Sequence, residues 1–386
     1  MSPLRVLSVF GTRPEAIKMA PVVQALAGTP GVEPLVCVTA QHRQMLDQVL
    51  NLFGILPDID LDLMRPDQSL AQLTAAVFNH LDPVLARVKP DWVLVQGDTT
   101  TVMAAAILAY YHRIRVGHVE AGLRTSDKWQ PFPEEINRRV ATVVTDLHFA
   151  PTEWARQNLL QESVPADHVL VTGNPVIDAL HSVVNLPVPG EIRTLLQKLG
   201  VEDVSAPGES PGLAGPRLVL VTAHRRENFG QPMEDICQGL LHLAKLYDPK
   251  VHFIYPVHLN PNVQKPVYGI LGNQPNITLL PPLDYLPWVH LIKRATLMLT
   301  DSGGLQEEAP GLGVPVLVLR RVTERPEGVE AGTVRLVGTD TGRIISETRR
   351  LLEDPVAHAA MANAANPYGD GHAAPRIVKA ILEYEH

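Results

Sequence analysis

The chain has few cysteines, no long apolar run and no excess of basic residues, and each shortage excludes a class of protein. Cys37 and Cys237 lie in apolar patterns in different halves of the 386 residues, which favours packed thiols over a disulfide or a metal pair. No stretch approaches the continuous apolar length that crosses a bilayer, so we expect no membrane contact. The formal net charge of -8 disfavours a general nucleic-acid binder.

Familiar cofactor motifs are also missing from the sequence. No Gly-x-Gly-x-x-Gly follows a strand pattern and no Gly-Lys-Ser/Thr loop occurs, so neither a nicotinamide nor ATP has a recognisable site. No histidine and cysteine cluster has the spacing of zinc ligands. Met1–Phe10 runs directly into a strand pattern without the plan of a signal peptide, which predicts a cytoplasmic protein.

The overall composition is that of a soluble globular protein, with 45% hydrophobic and 19% charged residues. A chain of 386 residues is too long for one ordinary core and favours two domains. Apolar strand patterns alternate with helical patterns in both halves, which is typical of parallel sheets covered on both faces. We therefore predict an α/β protein with two doubly wound Rossmann-like domains facing a cleft, comprising residues 1–172 with 366–386 and residues 173–365.

Individual elements follow from the same patterns. The predicted strands are Leu4–Phe10, Leu35–Val38, Trp92–Val95, Val116–Val119, Leu218–Val221, Val251–Ile254, Ile277–Leu280, Leu297–Leu299 and Val316–Leu319. The predicted helices are Pro14–Leu26, Gln44–Phe53, a long helix from Ser69, Thr99–Tyr110, Pro133–Val144 and Ala374–Tyr384. Asp58–Asp62 alternates acidic and apolar residues, which fits a strand edge better than a metal site. Asn185–Pro216 is rich in proline and glycine, and Val204–Gly215 within it resembles an exposed insertion.

Turns at strand ends are the places where chemistry is expected, because ligands of doubly wound folds bind outside the carboxyl ends of the strands. The clearest such turn is Thr300–Glu308, TDSGGLQEE, which combines a strand end, a glycine turn and a helix start. Its glycines leave room for an anion, and backbone N–H groups and the helix dipole attract phosphate. Glu308 would then accept hydrogen bonds from sugar hydroxyls. A plain helix cap by Asp301 or Ser302 is the other interpretation.

Three carboxylates at the ends of successive elements in the first half form a possible acid–base set. Asp98 lies in the turn QGDTTT, Glu120 follows the strand Val116–Val119, and Glu134 opens a helix. A helix cap by Asp98 and a surface ion pair between Glu134 and Arg138 are the competing interpretations. Glu120 is harder to explain structurally, because glutamate rarely lies near a core without a partner.

Basic residues gather at other turns and give the acidic chain local positive charge. Arg13 and Lys18 at the start of the first helix suit a phosphate, although a solvated helix start explains them equally well. His224 follows a strand as a proton carrier or phosphate partner. A lone histidine such as His258 is more often structural. The arginines around Arg325 lie among glutamates, so part of that cluster is internal salt bridging.

Taken together, the motifs resemble one family, the non-hydrolysing UDP-N-acetylglucosamine 2-epimerases. The resemblance covers nearly the whole chain in order: GTRPEAIKMAP, QHRQMLDQV, QGDTTT, GHVEAGLRT, PEEINR, VTAHRREN, PVHLNPNV, TDSGGLQEEAP and NPYGDG. It implies the two-domain fold of many nucleotide-sugar glycosyltransferases (glycosyltransferase B type), with the last helix crossing back onto the first domain. It also implies a homodimer that needs no cofactor or metal and serves cell-envelope polysaccharide synthesis.

The resemblance assigns roles to particular residues. UDP would lie at the second domain, with its contacts at Ser302, Gly303 and Gly304 (phosphates), Glu308 (ribose), Arg325 (nucleotide), Trp288 and the backbone of Leu283 (uracil). From the first domain, Arg13 and Lys18 would close over the pyrophosphate and the sugar. The positions matching catalysis are Asp98, Glu120, Glu134 and His224. A second substrate molecule acts as an activator in some members, through positions matching Gln41, Gln44, Arg225 and His258. Asp67 stands here where a basic contact is expected, and it would repel phosphate.

The implied reaction is the reversible conversion of UDP-GlcNAc to UDP-ManNAc at C2 of the sugar. The C2 hydrogen is not next to a carbonyl, so UDP leaves as the proton is removed, a glycal forms, and the proton returns on the other face before UDP re-adds. Positive groups and N–H donors stabilise the leaving diphosphate, and carboxylates transfer the protons. We expect Asp98 and Glu120 nearest the sugar with Glu134 supporting, and which acid removes the proton stays open.

Three alternatives remain beside this interpretation. A glycosyltransferase of the same fold would have a similar UDP site, but the carboxylate trio and the lack of an apolar segment for a lipid acceptor favour the epimerase. A hydrolysing relative would release the sugar by letting water intercept the intermediate. A nucleotide-sugar sensor would bind UDP-GlcNAc without turnover.

Overall fold

The computed structural model describes residues 2–40, 43–65, 67–201 and 216–384, with Gln44 described in its backbone alone. The chain divides into two compact units: unit 1 is Met1–His181 with Tyr368–His386, and unit 2 is Ser182–Pro367. Each unit contains a parallel sheet with alternating helices, which confirms the predicted α/β class and the two Rossmann-like domains. The predicted domain boundaries at 172/173 and 365/366 stay a prediction. The predicted insertion Val204–Gly215 lies outside the described residues.

Unit 1 is built on one sheet. In the described residues its strands are β1 (Leu4–Phe10), β2 (Val32–Val38), β3 (Ile59–Asp60), β4 (Trp92–Gln96), β5 (Arg115–Val119), β6 (Leu147–Ala150) and β7 (Val169–Val171). Their order across the sheet is β3-β2-β1-β4-β5-β6-β7, and every neighbouring pair is parallel. The strand order reverses between β1 and β4, which is where ligands bind in open sheets of this kind.

The helices of unit 1 connect these strands. They are α1 (Arg13–Ala27), α2 (Arg43–Phe53), α3 (Leu70–Val88), α4 (Thr100–Tyr111), α5 (Glu134–Val144) and α6 (Glu153–Gln161), and α7 (Pro175–Val184) crosses the boundary to unit 2. Thr12 and Glu15 form a capping box at the start of α1, in which each side chain accepts from the backbone N–H of the other. The position of α1 is thereby fixed from its first turn.

Unit 2 repeats the plan with a second sheet. Its described strands are β8 (Arg217–Thr222), β9 (Val251–Pro256), β10 (Ile277–Leu280), β11 (Leu297–Thr300), β12 (Val316–Val318) and β13 (Val334–Leu336), in the order β10-β9-β8-β11-β12-β13. Its helices are α8 (Gly190–Lys198), α9 (Gln231–Tyr247), α10 (Pro261–Leu271), α11 (Tyr285–Arg294), α12 (Leu305–Gly311), α13 (Pro326–Glu330), α14 (Thr341–Glu353) and α15 (Pro355–Ala362). Here the strand order reverses between β8 and β11.

The last helix, α16 (Ala373–Glu383), returns to unit 1 as the resemblance implies. It contacts α1, and its Ile377 is fully buried. Just beyond it, the ring of Tyr384 meets the fully buried Trp92 edge-on, with the ring centroids 5.2 Å apart. Helix α16 is therefore part of the core of the first unit.

Most predicted elements lie within a few residues of their observed bounds, including the strand edge at Ile59–Asp60. Cys37 and Cys237 are free and buried, and burial raises the pKa of each thiol to about 12, which confirms that they are packed thiols. The strands β6, β7 and β13 were not predicted. Nor was α8, whose Ile192 and Leu196 pack into the core of unit 2. None of the described helices has both the length and the apolarity to cross a membrane.

Candidate active site

Glu120 lies directly after β5, and its buried carboxylate is surrounded by hydrogen-bond donors. Lys18 Nζ lies 2.5 Å and Asn174 Nδ2 2.8 Å from Oε1, while Gln96 Nε2 lies 2.5 Å from Oε2. The Glu120 backbone has a φ of 63°, in the left-handed region that costs a residue with a side chain roughly 1–2 kcal/mol. Strained backbone of this kind clusters at functional sites, so Glu120 is the strongest catalytic candidate of unit 1.

Lys18 and Arg13 both lie on α1, whose position depends on another buried carboxylate. Glu15 accepts hydrogen bonds from the backbone N–H of Gly11 (2.8 Å) and Thr12 (2.7 Å) and from the Thr99 hydroxyl (2.6 Å). Burial raises the pKa of Glu15 although these hydrogen bonds oppose the shift. Because Glu15 ties the turn after β1 to the turn after β4, it holds Lys18 in place beside Glu120.

Asp98 lies in the turn after β4 and forms an ion pair with Arg138. The cap of α4 is Thr99, whose side chain accepts from a backbone N–H of the first turn, so the interpretation of Asp98 as the helix cap is wrong. The backbone carbonyl of Asp98 accepts from Asn137 Nδ2 at 3.0 Å. Two residues of α5 therefore hold Asp98, one at its carboxylate and one at its backbone.

Glu134 is half-buried at the first position of α5. Its predicted surface ion pair with Arg138 is wrong, because Arg138 is buried and its ion-pair partners are Asp98 and Glu135. The Arg138–Glu135 distance is 3.3 Å, and Glu135 is fully buried. The arginine is therefore turned from the helix surface toward the sheet, where it meets Asp98.

In unit 2, His224 and Asp301 follow β8 and β11, the neighbouring strands at the order reversal. Asp301 Oδ2 accepts from the backbone N–H groups of His224 and Arg225, each at 2.8 Å, and from Asn228 Nδ2 at 3.0 Å. The His224 ring lies parallel to that of His258, with centroids 5.4 Å apart and 13° between the planes. His258 is exposed and stacks on the candidate catalytic histidine.

The turn after Asp301 leads into α12 through two glycines. Gly304 occupies the cap position of α12 without a side-chain cap, so the interpretation of Asp301 or Ser302 as a plain helix cap is wrong. Within the part of the chain that the structure describes, the N–H groups of Gly303, Gly304 and Leu305 donate to no backbone carbonyl. A Cβ atom added to Gly303 would lie 2.7 Å from a guanidinium nitrogen of Arg325. Backbone donors and a cation thus meet at one turn.

Arg325 belongs to a buried network of ion pairs. It pairs with Glu307 and lies 3.0 Å from Glu324, which in turn pairs with Arg320 at 2.7 Å. Burial raises the pKa of Glu324, but Arg325 and Arg320 outweigh that effect and hold the pKa at about 2. The prediction that part of this arginine cluster is internal salt bridging is confirmed.

The remaining candidates of unit 2 lie on α11, on α12 or just before α11. Glu308 lies in the first turn of α12, where it is buried near Tyr285. Burial, and then the Glu308 carboxylate, raises the pKa of Tyr285 well above its usual range. Leu283 and Trp288 are half-buried and pack against the apolar core of unit 2.

Two residues of the Glu120 cluster were missed by the sequence reasoning. Gln96 carries a usable signal, because it is a polar residue that ends an otherwise apolar strand just before the Asp98 turn. Asn174 follows β7, which was not predicted, so the sequence offered no reason to place it near Glu120. Asn174 is itself fixed by a backbone hydrogen bond to the Tyr368 carbonyl at 2.7 Å.

The family of the chain follows from comparison with known proteins. The family model described as UDP-N-acetylglucosamine 2-epimerase matches residues 24–382. The chain belongs to the UDP-N-acetylglucosamine 2-epimerase family. The UDP-N-acetylglucosamine 2-epimerase of Salmonella typhimurium is 54% identical over 382 residues, which cover 99% of each chain. That of Escherichia coli (strain K12) is 53% identical over 378 residues, 98% of each chain. This confirms the resemblance seen in the motifs.

Solved structures of the family agree with the fold. The crystal structure of UDP-GlcNAc 2-epimerase from Neisseria meningitidis bound to UDP-GlcNAc matches with a TM-score of 0.89 and 49% identity, covering 98% of this chain and 100% of that one. The Methanocaldococcus jannaschii enzyme in complex with UDP-GlcNAc and UDP matches with a TM-score of 0.79 and 32% identity, at the same coverage. The fold is that of the UDP-GlcNAc 2-epimerases, of glycosyltransferase B type.

Proposed function

We propose that the chain interconverts UDP-GlcNAc and UDP-ManNAc at C2 by eliminating and re-adding UDP through a glycal. The observation that carries this proposal is the Glu120 carboxylate, held on a strained backbone by Lys18, Gln96 and Asn174 at the carboxyl end of the unit 1 sheet. Membership of the 2-epimerase family supports the choice of substrate.

Proton transfer is assigned to Asp98 and Glu120. Each carboxylate has a cationic partner in unit 1, Arg138 for Asp98 and Lys18 for Glu120, and that partner fixes the position of the carboxylate. Two separately held acids suit a reaction in which a proton leaves one face of the sugar and returns on the other. Glu134 supports them, and His224 is the proposed catalytic residue of unit 2.

The nucleotide is assigned to unit 2, where the glycine turn and Arg325 would stabilise the charge of the leaving diphosphate. The proposed contacts are Ser302, Gly303 and Gly304 for the phosphates, Glu308 for the ribose, Arg325 for the nucleotide, and Trp288 with the Leu283 backbone for the uracil. In unit 1, Arg13 and Lys18 are the proposed contacts of the pyrophosphate and the sugar. A cytoplasmic location stays a prediction from the sequence pattern, and a homodimer stays a prediction from the family resemblance.

Solvent proton exchange at C2 tests the function. Proton NMR of the purified chain with UDP-GlcNAc in heavy water, without added cofactor, should show UDP-ManNAc carrying deuterium at C2, because the C2 proton is lost and regained. A sample without protein is the control. Free ManNAc with UDP would instead indicate the hydrolysing alternative. Transfer of the sugar to an added acceptor would indicate a glycosyltransferase, and binding without any product over hours would indicate a sensor.

We also infer that a second UDP-GlcNAc molecule activates the chain. The described residues that support this activation are Arg225 and His258, which lie beside His224. Of the other positions, Gln41 lies outside the described residues and Gln44 is described in its backbone alone, while Asp67 counts against phosphate binding. Rates measured from the UDP-ManNAc side should be sigmoidal, and a little added UDP-GlcNAc should make them hyperbolic. Simple saturation without added UDP-GlcNAc would rule out this activation.

A further inference from the structure

We propose that Asp301 is a positioning residue that fixes the ring and the tautomer of His224. The inference rests on the proposed function, because His224 is the residue that we assign to catalysis in unit 2. It concerns a carboxylate that neither the sequence reasoning nor the family comparison assigns to the site.

Asp301 first anchors the backbone on which His224 lies. It has no exposed surface, and its Oδ2 accepts two backbone N–H groups and one side-chain amide from the turn after β8. A second bond joins the ends of the same two strands, since the hydroxyls of Thr222 and Thr300 lie 2.7 Å apart. A buried carboxylate with this many donors fixes its partners as firmly as it is fixed itself. The turn that carries His224 is therefore fastened to β11.

The other carboxylate oxygen faces the histidine ring. In the described structure Oδ1 of Asp301 is buried and makes no hydrogen bond, and Nδ1 of His224 lies 3.4 Å from it. Buried acceptors in native proteins are almost always satisfied, so a proton on Nδ1 is the arrangement that this oxygen favours. A carboxylate or carbonyl at one ring nitrogen sets the tautomer of a histidine. His224 would then carry its proton on Nδ1 and present Nε2 to a ligand.

His258 fixes the plane of the same ring. The two imidazoles stack at 5.4 Å, and the His258 ring is itself oriented because its Nδ1 accepts from the backbone N–H of Asn260 at 3.1 Å. The His224 side chain keeps 36% of its surface exposed while Asp301 is fully buried. Asp301 and His258 therefore orient a ring that still reaches solvent, as a group that meets a substrate must.

The groups around His224 shift its pKa in opposite directions. Burial lowers the pKa of His224, and the Asp301 carboxylate opposes that shift, whereas Arg225 and His258 add to it. Arg225, His258 and Asp301 lie in the turns after β8, β9 and β11. Removing the Asp301 charge should therefore move the titration of His224 to lower pH, because the protonated ring loses its stabilising partner.

The tautomer can be measured on the unaltered chain. Long-range proton–nitrogen NMR of the full protein with ¹⁵N-labelled histidine, with His224 assigned by the signal lost in His224→Gln, should show the neutral ring protonated on Nδ1. A neutral ring protonated on Nε2 would overturn the proposal. The readout needs no turnover, so a chain that fails to epimerise UDP-GlcNAc could still show the tautomer, and the two proposals fail separately.

A variant of Asp301 tests the effect of its negative charge on His224. In Asp301→Asn, the NMR titration midpoint of His224 and the corresponding limb of the kcat–pH profile should move to lower pH, by about one to three pH units. Asn228→Ala is the matched control, because it removes a donor to the same carboxylate without changing its charge. It should lower thermal stability and leave the midpoint where it is. An unchanged midpoint in Asp301→Asn, or an equal shift in both variants, would contradict the proposal.

Discussion

Glu120→Gln should lower kcat by about 10²–10⁴-fold, the range that a general acid or base contributes. Both carboxylate oxygens of Glu120 accept hydrogen bonds, from Lys18 and Asn174 on one side and Gln96 on the other. An amide in its place must turn its NH₂ group toward one of these donors, and it removes the charge that faces Lys18. Initial rates of UDP-ManNAc formation, measured on protein shown to be folded by its thermal transition, give the effect.

Asp98→Asn should lower kcat to a comparable extent, because Asp98 is the other residue to which we assign proton transfer. The change also removes the charge that faces the buried Arg138. Glu33→Gln is the control for a carboxylate-to-amide change, since Glu33 is a partly exposed ion-pair partner of Arg5 at 3.1 Å. The activity of this variant should equal that of the unaltered chain. Full activity in both Glu120→Gln and Asp98→Asn would remove both residues from the proposed proton transfer.

Gly122→Ala should destabilise the chain by about 2–5 kcal/mol, the sum of backbone strain and overpacking. Gly122 has a φ of 91°, a conformation that residues with side chains rarely adopt. An added Cβ would lie 2.8 Å from the carbonyl carbon of Ala155 on α6 and closer still to its oxygen. Because these atoms belong to a helix backbone, they cannot move aside cheaply. Urea unfolding followed by circular dichroism measures the loss.

Gly31→Ala is the matched control for this prediction. Gly31 has a φ of 83°, but nothing lies within 4 Å of its Cβ position. It should therefore show the backbone strain alone, about 1–2 kcal/mol. Equal losses in the two variants would mean that the contact with Ala155 adds nothing, which would contradict the packing argument at Gly122.

The fold was largely predictable because buried parallel strands read as short apolar runs between helices. The misses have physical causes. In β6 the apolar run is interrupted by His148, which is buried beside its register partner His118 on β5. A polar residue inside a buried strand hides the apolar pattern that predicts the strand. Helix α8 was overlooked because prolines and glycines flank it, although its apolar positions recur at helical spacing.

The sequence supplies candidate residues for the site but not the pairings that the structure shows between them. Spacing rules for helices reach three or four residues, and they led to the Glu134–Arg138 pair, whereas Arg138 meets Asp98 across 40 residues of sequence. A local helix cap is the alternative role that the sequence offers for Asp301, yet its donors His224 and Arg225 lie 77 and 76 residues earlier. Glu120 and Asn174 are 54 residues apart. Only the order of strands in each sheet brings such residues together.

The return of helix α16 to unit 1 affects how the chain is made. During synthesis, all of unit 2 leaves the ribosome before Ala373–Glu383 does. The first unit therefore lacks its last helix at a time when every residue of the second unit has already been made. Until then the Trp92 ring lacks its contact with Tyr384. A chain that terminates early at its C-terminus therefore loses packing from the unit that was made first, including the helix that rests on α1.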